Sequence, residues 1–455
     1  MRILVIGGSD AGISAGLRAH ELVPDADITV LLADAYPNYS ICGLPFYLSG
    51  EVGDWHRLAH RTAFEGIRLL RNHRARGIDT LQHTVTVVNG QGESSALPYD
   101  RLLVATGAVP REPTLTGADL PGVFRLHTME DSFAVDRHVR EEGPRRAIII
   151  GSGYIGLEMA DALTLRGLAV TLVGRNPSPL PTVDPEFGRV VQEELERHGV
   201  SVQNSEDVTS VERAESELAV AGVTFRQTAD LVLVAPGVRP ASELAAAAGA
   251  RIGVAGAIAV DRSMRTTAPD VFAAGDCVET WHRVLQRNVY LPLGTTAHKQ
   301  GRVAGENMVG GRRTFPGCVG TQVVKVFDLA IARTGLRDDE ARRGGFEPVT
   351  VESTAWDHKA YYPGAHELRI RVTGDRRTGL LLGAQIVGHW RAQVAKRIDV
   401  FATALFHRMQ VEGLNDLDLS YTPPLGSPWD PVQVAAQAWE ASPRAAARPA
   451  PDGGE

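Results

Sequence analysis

The sequence predicts an α/β fold in which one strand–turn–helix construction opens two separate units. An apolar run at residues 2–6 (RILVI) enters a glycine turn and then a helical pattern, and the same construction recurs about 140 residues later, at residues 147–156. The length of 455 residues adds a third observation: it exceeds one compact core and calls for two or three domains.

In the first unit the turn reads Gly7-Gly8-Ser9-Asp10-Ala11-Gly12, followed by a helical pattern at residues 13–22. Gly7 permits the turn, Gly12 permits close helix-to-strand packing, and the helix N-terminus offers backbone N–H groups to a pyrophosphate. Ser9 stands where the usual fingerprint has its middle glycine. The next strand, residues 28–32, leads to Ala33-Asp34, so Asp34 is the candidate to meet a ribose. In the second unit the turn is complete: Gly151-Ser152-Gly153-Tyr154-Ile155-Gly156, then a helix over residues 157–166. Its next strand, residues 169–173, ends in Gly174-Arg175 without an acid. A guanidinium there suits a 2′-phosphate, which favours NADPH over NADH. Two units of this kind, each opening a βαβ pattern, predict two Rossmann-like domains and two bound dinucleotides.

Composition narrows the function. With 44% hydrophobic and 22% charged residues the chain is ordinary globular protein. A net charge of −7 offers no basic face to a nucleic acid. No apolar run reaches bilayer length and no signal segment precedes the first strand, so no membrane partner and a cytoplasmic location are expected. Three cysteines, Cys42, Cys277 and Cys318, are too few and too scattered for a disulfide scaffold or a metal cluster; no metal is expected, and a functional cysteine here is a reactive thiol. Residues 441–455 (ASPRAAARPAPDGGE) read as a disordered tail.

Further motifs follow the two turns: residues 99–110 (YDRLLVATGAVP), Ala235-Pro236-Gly237-Val238-Arg239-Pro240, and residues 271–276 (VFAAGD). With these the chain resembles the FAD-dependent pyridine-nucleotide disulfide oxidoreductases. The resemblance implies that the first motif crosses back beneath FAD, with Ala105, Thr106 and Gly107 against it, that Gly237 lies on the exit from the NAD(P) domain, and that Asp276 meets the ribityl chain. Ala297 joins Gly7, Gly12 and Asp34 in the implied flavin set. Glu158 joins Gly151, Gly153, Tyr154, Ile155, Gly156 and Arg175 in the NAD(P) set. The implied division is an FAD-binding domain from residues 1–112 and 251–320, an NAD(P)-binding domain at 113–250, and an α+β dimerisation domain at 321–440, in a homodimer.

The segment Ser40-Ile41-Cys42-Gly43-Leu44-Pro45-Phe46-Tyr47 is similar to the single-cysteine branch of that family: coenzyme A disulfide reductases, NAD(P)H polysulfide reductases, NADH oxidases and peroxidases. Two-cysteine members carry a second cysteine where Tyr47 stands. The branch implies that Cys42 alternates between thiolate and a mixed disulfide, persulfide or sulfenic acid, the thiolate being favoured if Cys42 starts a helix. Residues 383–388, 395–399 and 417–432 resemble the dimerisation domain of the branch, in whose reductases tyrosines reach the partner's cysteine; Tyr361 or Tyr362, and Tyr421, are the candidates. The expected substrate is a small thiol, disulfide or polysulfide. Asp10, where the oxidases and peroxidases have histidine, argues against peroxide chemistry, and Glu21 against coenzyme A. The alternatives are an NADH oxidase or peroxidase, and a ferredoxin-reductase-like electron carrier that does not use Cys42.

Overall fold

The computed structural model describes residues 1–112 and 114–446. Two compact units emerge: Met1–Pro144, Leu233–Trp281 and Arg287–Gly317 form the first, and Arg145–Val232, His282–Gln286 and the chain from Cys318 onward form the second.

The first unit is organised on a five-stranded parallel sheet in the order Val271–Ala273, Arg101–Val104, Arg2–Ile6, Asp27–Leu31, Ile67–Leu70. Its central strands are buried along almost their whole length, which is why they read as continuous apolar runs and not as alternating ones. Helix Asp10–Leu22 starts one turn earlier than its apolar periodicity indicates, inside the glycine loop itself. It lies along helix Gly294–Met308, where a Cβ at Gly301 or Gly305 would overlap the carbonyl oxygens of Ala11 and Ala15. The close approach of these two helices therefore depends on both glycines. An antiparallel meander, Arg74–Asp79, Thr84–Val88 and Ser94–Pro98, follows the last parallel strand. Strand Ala108–Pro110 pairs antiparallel with Val238–Pro240 within this unit.

The second unit repeats the opening. Strands Arg146–Ile150, Ala169–Val173 and Ser201–Gln203 are parallel neighbours, with helices Tyr154–Leu165 and Pro185–Arg197 connecting them. An antiparallel trio, Val208–Ala214, Glu217–Gly222 and Arg226–Ala229, comes next. The rest is an antiparallel sheet in the order Gln322–Val326, Leu329–Gly335, Leu381–His389, Glu367–Asp375, Pro348–Trp356. Helices Val394–Phe406 and Pro431–Glu440 close its core around Phe401, Ile370, Ile386 and Trp439. Trp439 is fully buried, and its indole N–H donates to the Val349 carbonyl at 2.8 Å, as a buried indole requires. Asp161 joins the two parts of this unit, accepting from the Phe327 amide at 2.9 Å and from Lys325 at 3.2 Å.

No helix among the described residues is long and apolar enough to cross a membrane. The stretch expected as a tail opens with a short helix, Pro443–Ala446; residues 447–455 lie outside the described residues.

Candidate active site

The first glycine loop is shaped by what surrounds it. Gly7 sits at φ 116°, and a Cβ on it would overlap the Ala105 carbonyl; a Cβ on Gly12 would overlap the carbonyl of Gly7 itself. The loop and the crossing strand therefore touch backbone to backbone, with the Ala105 amide donating to the Ile6 carbonyl at 2.8 Å. Beyond Ala105 the chain is held by Thr106, whose hydroxyl donates to the Ala241 carbonyl at 2.6 Å. Gly107 and Gly237 both have positive φ, and a Cβ on either would meet only open space. Ala297 is buried, near the Cβ position of Gly275.

Asp276 stands beside this cradle, its backbone carbonyl accepting from the Tyr290 hydroxyl at 3.0 Å. Burial raises its carboxyl to about 6, with the nearby charge of Asp10 adding to the effect. Asp10 is itself 3.4 Å from Nε2 of His298, whose Nδ1 lies 2.8 Å from the Ser14 hydroxyl. No motif marks this Ser14–His298–Asp10 chain, because His298 is 284 residues from Ser14 and reaches it only where the two helices pack. Asp34 is exposed, and its Oδ1 accepts from the Tyr36 amide at 2.8 Å, closing a local turn. Leu32, buried two residues earlier, is the side chain that lies over Gly8.

Cys42 is exposed, in a 3-10 turn, Ile41–Gly43, that runs directly into helix Leu44–Ser49. The segment before it is braced by aromatic rings: Tyr39 lies 5.6 Å from Trp55 between centroids, and Trp55 lies 5.1 Å from Phe133. The Ser40 amide donates to the Leu58 carbonyl at 2.9 Å, and Leu44 and Leu48 anchor the helix in the core. Tyr47 donates its hydroxyl to Asp136 at 2.9 Å, and Arg140 pairs with the same carboxylate at 3.0 Å. That tyrosine is an anchor of the cysteine-bearing helix. Cys277 is fully buried, and burial pushes its thiol up to about 11.

In the second unit a Cβ on Gly156 would overlap the Gly151 carbonyl, the same close approach that Gly12 makes to Gly7. Gly151 has φ 119°, and its amide donates to the Val173 carbonyl at 2.8 Å, tying the loop to the end of the neighbouring strand. Gly153 faces open space at the N-terminus of helix Tyr154–Leu165, and Ile155 lies in the first turn of that helix. Tyr154 donates to Gln322 at 2.5 Å, and Thr182 donates to the Tyr154 hydroxyl at 3.3 Å. Burial raises Glu158 to about 7, helped by Asp161 one turn on. Arg175 is exposed, 4.0 Å from Asp207. Both loops thus have the tight glycine geometry that fits a dinucleotide, FAD in the first and NAD(P)H in the second.

Tyr361, Tyr362 and Tyr421 are all exposed; Tyr361 retains 75% of its accessible surface. The two segments that carry them meet, since the Lys359 amide donates to the Pro423 carbonyl at 3.3 Å and the Lys359 ammonium lies 6.0 Å from the Tyr421 ring. Tyr362 is turned toward His358, with ring centroids 5.9 Å apart.

Comparison with known proteins agrees with this geometry. Residues 1–301 match the pyridine nucleotide-disulphide oxidoreductase family, and residues 321–431 match its dimerisation domain. An NAD(P)H sulfur oxidoreductase (CoA-dependent) of Pyrococcus furiosus is 35% identical over 96% of this chain and 98% of its own. Among solved structures, an NAD-dependent persulfide reductase from A. fulgidus superposes with a TM-score of 0.92 at 37% identity, over 96% of this chain and 82% of that one. An engineered water-forming NADPH oxidase gives a TM-score of 0.92 at 26% identity, over 97% of this chain and 98% of that one. The chain is an FAD-dependent NAD(P)H oxidoreductase, and it belongs to the pyridine nucleotide-disulphide oxidoreductase family.

Proposed function

We propose that this enzyme reduces a low-molecular-weight persulfide, polysulfide or disulfide at Cys42, using electrons from NAD(P)H. One observation carries the reading: Cys42 is exposed on a braced turn, while the position that would hold a partner thiol is Tyr47, engaged by Asp136. The buried, high-pKa Cys277 is unsuited to exchange.

Bound FAD supplies the two-electron relay between the nicotinamide hydride and sulfur. The Cys42 thiolate attacks a sulfur of the substrate, its S–S bond breaks, and one thiol leaves with a proton while Cys42 is held in a mixed disulfide. Two electrons and a second proton then release the other thiol and restore Cys42. The whole reaction consumes one NAD(P)H and one proton for each S–S bond reduced to two thiols. Tyr361 or Tyr362, with Tyr421, contributes the proton across a homodimer; their exposure on adjoining segments supports this role. The FAD-binding part is built from residues 1–112 and 251–320, the NAD(P)-binding part from 113–250, and the dimerisation part from 321–440. Asp276, Ala297, Gly107 and the first glycine loop hold the flavin; Gly151 to Gly156, Glu158 and Arg175 hold the coenzyme. Asp34, exposed and with Oδ2 outside the bond to the Tyr36 amide, meets the flavin's ribose. The enzyme works in the cytoplasm.

NADPH is the favoured donor. The engineered NADPH oxidase carries, among its substitutions, an aspartate changed to alanine followed directly by an alanine changed to arginine. Gly174-Arg175 has the same sense, a small residue followed by a guanidinium.

Steady-state turnover with NADPH and NADH against glutathione persulfide, polysulfide, coenzyme A disulfide, hydrogen peroxide and oxygen tests the reading. The expected outcome is kcat/KM for persulfide or polysulfide at least ~10-fold above that for peroxide and oxygen, a margin worth about 1.4 kcal/mol. Faster turnover with oxygen or peroxide than with every sulfur substrate would make it an oxidase or peroxidase instead.

A further inference from the structure

The ribose end of the second dinucleotide site has a construction that bears on coenzyme choice. Strand Ala169–Val173 ends at Gly174, and a Cβ there would overlap the Ser152 hydroxyl and lie 2.8 Å from the Ser152 Cβ. No acidic side chain fits at the strand tip while Ser152 stays in place. The Ser152 hydroxyl is buried, 4% exposed, and without a hydrogen-bond partner. A buried hydroxyl left unpaired costs free energy that a ligand oxygen recovers on binding.

Past the tip, Arg175 faces Asp207 at 4.0 Å, with side chains 72% and 60% exposed. Asp207 does not drift there by chance. The Gly174 amide donates to the Gln203 carbonyl at 2.8 Å, the Glu206 amide to the Gly174 carbonyl at 3.0 Å, and the Ser205 amide to the Asn176 carbonyl at 3.0 Å. Three backbone bonds therefore clip the segment carrying Asp207 alongside the one carrying Arg175. Glu206, the neighbouring acid, is turned elsewhere, accepting from the Thr224 hydroxyl at 2.6 Å and the Thr224 amide at 2.9 Å.

We propose that Asp207 sets coenzyme specificity by occupying Arg175 and competing with the 2′-phosphate, so that the site prefers NADPH only modestly and retains NADH. The inference rests on reading Gly151–Gly156 as the NAD(P) loop. A 2′-phosphate must displace Asp207 from the guanidinium and lie near its negative charge. NADH, which carries only a 2′-hydroxyl there, leaves the pair intact. An exposed ion pair is worth up to about 1 kcal/mol, so its removal is expected to change affinity by up to about fivefold. Salt screens a contest between exposed charges, so the effect shrinks as ionic strength rises.

Isothermal titration of the FAD-loaded enzyme with NADP⁺ and NAD⁺ tests this without turnover. Asp207→Asn is expected to tighten NADP⁺ binding about threefold to fivefold at low salt and to leave NAD⁺ binding unchanged. Arg175→Gln is expected to abolish the NADP⁺ preference, and Asp207→Asn added to it to give a smaller gain than on its own. A shift of both coenzymes alike in Asp207→Asn, or of neither, would overturn the role of Asp207 and leave the NAD(P) site intact. If neither coenzyme binds to the unmutated enzyme, the reading of the loop fails with it.

Discussion

Glu158 stands near the start of helix Tyr154–Leu165 with its carboxyl raised to about 7 by burial, Asp161 adding to the effect. Between the ordinary carboxylate range and about 7, the folded chain holds this proton more tightly than the unfolded chain does. Stability therefore falls as pH rises through that window. Each pKa unit corresponds to roughly 1.4 kcal/mol, and partial exposure reduces the yield. Glu158→Gln is expected to raise the unfolding free energy by about 1–2 kcal/mol at pH 8 and to leave it unchanged at pH 4, as read from urea melts at the two pH values. At this scale the sequence was legible where a residue type has one structural use. Gly7, Gly12, Gly151 and Gly156 occupy the tight positions that their spacing indicates. It was less legible where packing alone decides: Leu32, buried at the strand end, is the side chain that meets the Cβ position of Gly8, and no motif marks it. Asp207 and the Ser152 hydroxyl carry no sequence signature, since both matter only through backbone clips and a missing Cβ.

The two glycine loops are the same device used twice, and each can be broken separately. A Cβ on Gly12 meets the Gly7 carbonyl, and a Cβ on Gly156 meets the Gly151 carbonyl, both backbone atoms that cannot swing aside. Overpacking of this kind costs about 1–3 kcal/mol and pushes the helix away from the loop. Gly156→Ala is expected to purify with its full flavin absorbance and at least ~10-fold weaker NADP⁺ binding, a loss of about 1.4 kcal/mol or more. Gly12→Ala is expected to lose flavin. Absorbance per chain and coenzyme titration separate the two. Strands and helices of both units were readable from apolar runs, with Arg2–Ile6 and Ala169–Val173 placed to the residue. The start of helix Asp10–Leu22 was not, because its first turn belongs to the glycine loop and carries no apolar periodicity. Helix Leu44–Ser49, only six residues long, is too short for a periodic signal and is held by Leu44, Leu48 and the Tyr47–Asp136 bond.

Across the whole molecule, the fold of the first unit brings together segments from residue 7 to residue 297, which is why the proposed flavin site draws on segments so far apart in sequence. The order of motifs along the chain anticipated this assembly, and the family match over residues 1–301 and 321–431 covers both units. What the order of motifs does not contain is the packing of the second parallel layer with the antiparallel sheet. That union is made by single side chains such as Asp161 on Phe327 and Gln385 on Asp184, each a long-range contact between segments of unremarkable composition. Electrons must nonetheless pass through the molecule to one sulfur, and the account stands on that sulfur being Cys42. Rapid mixing of the Cys42→Ser enzyme with NADPH, followed by turnover with glutathione persulfide or polysulfide, tests this most directly. Flavin reduction by NADPH at the rate of the unmutated enzyme is expected, with a loss of sulfur turnover of at least ~10³-fold, about 4 kcal/mol of transition-state stabilisation. Unchanged sulfur turnover in Cys42→Ser would mean that the electrons reach the substrate by a route that bypasses Cys42.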